Sequence, residues 1–187
     1  MRSLILALAL SVSATLAAGA TYESSIDVTF PDQVAGLAFA GRNEFPQKEL
    51  GVNIAYQRSG PVRGSVYVYN GGLKSIPSGT EAPIVRKHFA QVIGEVKQME
   101  TMGKARAVTL SATGEQTTSY PGCGPQFIWR AYEMELSEGT LTSYTYLTAL
   151  KNNFVKLRVS YRKGDTQGSQ TAEQFVEQIR RVLGGCK

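Results

Sequence analysis

The residues of this chain whose types carry chemistry most directly are two cysteines, Cys123 and Cys186, and one histidine, His88. A cysteine beside an imidazole makes a nucleophile when the imidazole takes the thiol proton, so Cys123 with His88 is the catalytic pairing to weigh. No third residue completes such a constellation. His88 borders the apolar side of a helical repeat, three residues after Val85 and four before Val92, where a structural histidine is ordinary. A bond between Cys123 and Cys186 is the simpler reading, because exported chains pass into oxidising compartments. It would span 186 − 123 = 63 residues and stabilise by about 4 kcal/mol on the chain-entropy account. Cys123 is therefore read as half of a staple rather than as a catalyst.

Other chemical templates find no footing. One histidine and two cysteines do not supply a closed zinc site, and no metal or cofactor is expected. The chain has no G-x-S-x-G elbow, no phosphate-binding P-loop, no G-x-G-x-x-G and no H-E-x-x-H. Glu133 and Glu135 alternate onto one face of a strand as a carboxylate pair would, but their place beside a hairpin turn reads as solubility. Arg130, Tyr132, Lys156 and Arg158 share one side of a sheet and form the candidate binding set. Two readings of that side compete. Either the basic stems lie over apolar neighbours beneath a helix with their heads in water, or the side is an amphipathic surface for an acidic or carboxylate partner. The first is preferred.

The element that must position these residues runs from Gly122 to Arg162. It reads as a three-stranded antiparallel meander with two-residue turns at Glu138-Gly139 and Asn152-Asn153. Pairing then follows by arithmetic. Phe127 faces Leu150, Trp129 faces Thr148 and Ala131 faces Tyr146; on the other hairpin Thr148 faces Leu157, Tyr146 faces Val159 and Tyr144 faces Tyr161. All of these fall on one side, which is the core side, leaving Arg130, Tyr132, Lys156 and Arg158 on the other.

Around the meander, alternating or β-branched stretches predict strands over Ser24 to Phe30, Gly51 to Gln57, Ser65 to Tyr69 and Arg106 to Ala112. Gln33 to Ala40 has no clear type, and Gly114 to Gly124 reads as a polar loop. A helix capped by Thr80 carries a stripe of Val85, Phe89, Val92, Val96 and Met99. A second has a capping box at Thr171-Ala172-Glu173-Gln174, a stripe of Phe175, Val176, Ile179, Val182 and Leu183, and a stop at Gly184-Gly185. The fold class is α+β: an antiparallel sheet of about six to seven strands packed against two main helices.

The first twenty residues hold Arg2, an apolar run from Leu4 to Leu10 extended by Val12 and Leu16, and Ala18-Gly19-Ala20. These are the parts of a secretory signal peptide, and the run is shorter than the roughly 20 residues a bilayer span requires. The remaining 187 − 20 = 167 residues, 21–187, fit one domain. Removing Arg2 leaves 19 basic against 15 acidic side chains, a net charge of +4 without a basic stripe, so nucleic acid is not an expected partner. The expected location is the periplasm or the extracellular space, with a monomeric mature chain and no membrane span.

Several motifs resemble those of a family of exported proteobacterial proteins. They are Phe30-Pro31-x-x-Val34-Ala35-Gly36, Gly51-Val52-Asn53-Ile54-Ala55-Tyr56, and Val66-Tyr67-Val68-Tyr69-Asn70 with Ile76-Pro77-Ser78-Gly79. The layout is similar to the Mog1/PsbP/DcrB-like sandwich, although the chain lacks the lipid-attachment cysteine of DcrB-like lipoproteins. That resemblance implies a non-catalytic binding or accessory role. The expected function is therefore contact with another envelope or periplasmic protein. The alternatives are a thiol-dependent enzyme using Cys123 and His88, and a carrier holding a small apolar ligand between sheet and helix.

Overall fold

A computed structural model of the chain describes residues 20–118 and 121–186. Apart from Ala20, the segment read as a signal peptide lies outside the described residues. The described chain begins with a hairpin of β1 (Thr21–Glu23) and β2 (Val28–Phe30), turned at Asp27 with φ 53°. What alternation suggested was one strand is thus a turn followed by a strand, yet Ile26, Val28 and Phe30 are all buried.

The main sheet takes β3 (Gln33–Val34), β4 (Leu37–Glu44), β5 (Val52–Gln57), β6 (Arg63–Tyr69), β7 (Ala107–Leu110), β8 (Gln116–Thr117), β9 (Ile128–Leu136), β10 (Gly139–Leu150) and β11 (Asn153–Arg162). Its nine strands run in the order β3-β4-β5-β6-β11-β10-β9-β7, with β8 also on β9, and every pairing is antiparallel. The α+β class, the two helices and the closing meander stand as expected. The additional strands come from Gln33 to Ala40, which makes β3 and the first half of β4, up to a bulge at Phe39/Gly41, and from two residues of the polar loop.

Both meander turns lie one residue earlier than expected. Leu136 pairs Gly139 across Ser137-Glu138, and Leu150 pairs Asn153 across Lys151-Asn152, which take φ of 46° and 64°. Each pairing therefore moves by two: Trp129 faces Tyr146 rather than Thr148, and Tyr146 faces Leu157 rather than Val159. A shift of two returns every side chain to the same side, so the assignment of faces survives the change of partners.

Helix α1 (Pro83–Gln98) and helix α2 (Thr166–Leu183) cover opposite faces. The α2 face joins Phe175, Val176 and Ile179 to Val66, Val68, Val155, Leu157 and Phe127, with Ile26, Val28 and Phe30 of the first hairpin completing the cluster. Gly64 is required there, because a Cβ at its position would lie 2.5 Å from the Phe175 ring. The α1 face is also core: Val85, Phe89 and Ile93 meet Ile128, Leu147, Ala149 and Phe154, and Val96 meets Val108, Tyr132 and Met134. Lys97 donates to the Val108 carbonyl at 2.6 Å, and Glu100 accepts from the Val108 N–H, which pins the end of α1 to β7. No helix among the described residues is long and apolar enough to cross a membrane.

Candidate binding groove between α1 and the sheet

A helix with its side chains is about 10 Å wide, and strands stand about 4.8 Å apart. One helix thus covers roughly two strands, and α1 lies over β7, β9 and β10. On the same face β6 and β11 are left beside it, and there a groove of about 540 Å³ opens. Its walls are α1 on one side and the 3-10 turn Lys48–Leu50 with Phe45 on the other. Its floor is Tyr67 and Tyr69 of β6 with Phe154 and Lys156 of β11.

Register builds that floor. Tyr67 is the direct cross-strand partner of Lys156, and Tyr69 that of Phe154. The Lys156 ammonium consequently sits over the Tyr67 ring at 4.5 Å and the Tyr69 ring at 5.5 Å, distances at which ring quadrupoles attract a cation. Burial pushes the Lys156 ammonium below its usual value; Glu95 on α1 opposes that shift and Arg158 adds to it. His88, also on α1, stacks on Phe154 with ring centres 4.0 Å apart and holds its Nε2 2.8 Å from the Tyr69 hydroxyl. Burial, and then the Lys156 charge, keep its imidazole below the ordinary histidine value. Burial also raises the Tyr69 phenol above its usual value.

Beyond Lys156 the groove continues into a narrower cleft of about 160 Å³, lined by Val96, Met99, Thr145 and Arg158. Tyr67, Val92, Glu95 and Lys156 line both spaces. The Arg158 guanidinium rests against the Met134 sulfur at 3.2 Å, a weak acceptor for so strong a donor.

The sequence-derived binding set therefore divides. Lys156 and Arg158 line the groove and its extension. Tyr132 is only 2% exposed, with its hydroxyl 3.1 Å from Thr145 Oγ1, so it is an interior residue and presents nothing to a partner. Arg130 lines neither space; it donates to the Ser111 carbonyl at 3.2 Å and leaves its buried Nε unbonded. Much of this side is core, because α1 packs on it.

The thiol site is not assembled. Cys123 is bonded to Cys186 beyond the end of α2, while His88 stands on α1 over the other face of the sheet. Glu133 and Glu135 face Lys163 at 2.9 Å and Arg106 at 4.0 Å, as solvated ion pairs do. Among the described residues no group of three or more His, Cys, Asp or Glu side chains could hold a metal ion.

A second concavity, about 420 Å³, lies on the α2 face between Trp129, Tyr144 and Tyr146 and the helix residues Ser169, Ala172 and Glu173. There the aromatic rings stack on one another, and no basic side chain enters. The α1 groove joins apolar walls to converging charged groups, the usual make-up of a ligand site. Sequence reasoning missed Tyr67, Tyr69 and Glu95. The alternation Val66-Tyr67-Val68-Tyr69 already places both tyrosines on one face, but their meeting with Lys156 depends on β6 pairing with β11, some ninety positions on. No protein-family model matches the chain, and no curated protein is recognisably similar to it.

Proposed function

We infer that this is an exported, non-catalytic binding protein of the bacterial envelope that holds a small amphipathic ligand in the groove between α1 and the sheet. One observation carries the reading. A concavity of about 540 Å³ sets the apolar residues Phe45, Leu50, Leu73 and Ile84 beside Lys156 of the floor and His88 and Glu95 of the α1 wall. That volume falls within the few hundred to about 1,000 Å³ typical of small-molecule sites. Export is supported by the signal-like N-terminus and by a cysteine pair of the kind that oxidising compartments maintain.

A small ligand is preferred to a protein partner docking on the sheet, because α1 lies over much of the face that would have to be open. It is preferred to thiol catalysis because the Cys123 sulfur is bonded and His88 is occupied by Tyr69 and Phe154. The resemblance to a sandwich family implies a non-catalytic binding or accessory role and so bears on the absence of catalysis alone.

The neutral fluorophore Nile red tests the groove. One equivalent should bind saturably with a blue-shifted emission, and Ile84→Trp, which fills the groove from a half-buried helix position, should abolish the signal while leaving the melting temperature near that of the parent. Absence of saturable binding, or binding indifferent to Ile84→Trp, would overturn the reading.

A further inference from the structure

We propose that the groove and the narrow cleft beyond Lys156 form one continuous site for a small amphipathic monocarboxylate, its head group between Lys156 and Arg158 beside Thr145 and its apolar body between Phe45 and Ile84 of the two facing walls. The proposal rests on the groove being the binding site and adds the chemical class of what enters it.

The argument begins with unused hydrogen bonds. Two other basic side chains drawn into the structure take a carboxylate with them: Arg42 meets Glu23 at 3.0 Å and Arg180 meets Glu177 at 2.8 Å. Lys156 and Arg158 have no carboxylate within ion-pair distance among the described residues. Tyr67 and Tyr69 offer the ammonium ring faces, and Met134 offers the guanidinium a thioether. An ammonium has three donors and a guanidinium five, and neither rings nor a thioether replace the oxygen acceptors that such groups have in water.

Placement then selects the ligand. Lys156 and Arg158 are two residues apart on β11 and share a face, which sets their Cα atoms about 7 Å apart. Thr145 is the cross-strand partner of Arg158 and lines the same cleft. A carboxylate has two oxygens to divide between an ammonium and a guanidinium, and charged partners make the strongest bonds of this kind. Glu95 lines both spaces. Its negative charge opposes a second negative charge on the ligand, which favours a monoanion over a dianion or a polyanion. The wider space supplies the apolar surface on which the body of the molecule is buried.

Titration calorimetry on the full mature chain with octanoate, octanol and octylammonium separates these contributions, since the three share one apolar body. Octanoate should bind at least tenfold more tightly than octanol, and the advantage should shrink as salt is raised. Lys156→Met and Arg158→Gln should each lower octanoate affinity about tenfold relative to octanol, with melting temperature reporting that each variant is folded. Glu95→Gln should strengthen octanoate. Equal binding of octanoate and octanol, a preference for octylammonium, or an octanoate affinity untouched by both variants would overturn the proposal. If octanol and Nile red bind without any carboxylate preference, only this inference falls. If none of the probes binds, the groove reading falls with it.

Discussion

His88 is the chain's single histidine, and the structure places it where protonation is opposed. Burial disfavours the imidazolium and the Lys156 ammonium repels it, while Glu95 alone favours it. A basic group whose folded value is depressed contributes its stability above the unfolded value, about 6.5 for histidine, and that stability is lost as pH falls through the lower folded value. The depressed carboxyls, among them Glu23, Glu100 and Glu177, begin to lose theirs only below about 4.5. The interval between about pH 6.5 and pH 5 therefore isolates His88. Melting temperature should decline across it in the parent and stay level in His88→Gln; a parent curve that is flat there would show that the imidazole is not held neutral. At this scale the sequence made Lys156 and His88 visible as chemically capable residues, but joined His88 to the wrong partner. Tyr69 and Phe154, its actual neighbours, lie 19 and 66 positions away along the chain (88 − 69 and 154 − 88).

The second helix shows how an element can be legible in its middle and misread at its end. Phe175, Val176, Ile179 and Leu183 are buried as their spacing predicts, and Val182 packs at the edge of the same cluster. The expected capping box at Thr171 is instead helix interior, since α2 begins at Thr166. Thr171 Oγ1 donates to the Gln167 carbonyl at 2.9 Å, the back-bond of a threonine inside a helix. The cap is Asp165, whose carboxylate accepts from the Gly168 N–H at 2.9 Å. The first helix departs from expectation in the same way: Thr80 bonds Glu81, Ala82 is the cap without a side-chain bond, and Pro83 opens the first turn. Asp165→Ala should lower stability by about 1 kcal/mol, whereas Thr171→Val, which keeps the shape and removes only the back-bond, should change it by less than half as much. Urea midpoints of the two variants decide the matter, and the reverse order would restore the capping box. Local motifs compete with one another along a sequence, and several short polar patterns fit a helix start equally well. Burial of the preceding turn, including Gly168, settles which is used.

For the molecule as a whole, the bond between Cys123 and Cys186 joins the entrance of the meander to the end of α2 across 63 residues. Gly124 makes that junction close: its φ is 110°, and a Cβ there would stand 2.5 Å from the Arg180 carbonyl oxygen. Replacing both cysteines by serine should remove about 3–4 kcal/mol of stability, read as the difference in urea unfolding between the parent and the double variant under oxidising conditions. A difference below about 1 kcal/mol would mean that packing of α2 alone holds the junction.

The sequence by itself determined the class, the two amphipathic helices, the cysteine pair and the two faces of the meander, because these follow from periodicity and residue type over short spans. It determined the faces even though both turns were misplaced by one residue, since moving each pairing by two preserves the side on which a residue lies. Only the tertiary structure decided that the second face is core under α1 along β7, β9, β10 and at Phe154 of β11, but a groove along β6 and at Lys156. The physical reason is width: one helix cannot cover so many strands, and which strands it leaves uncovered depends on pairings between distant segments that local pattern does not encode.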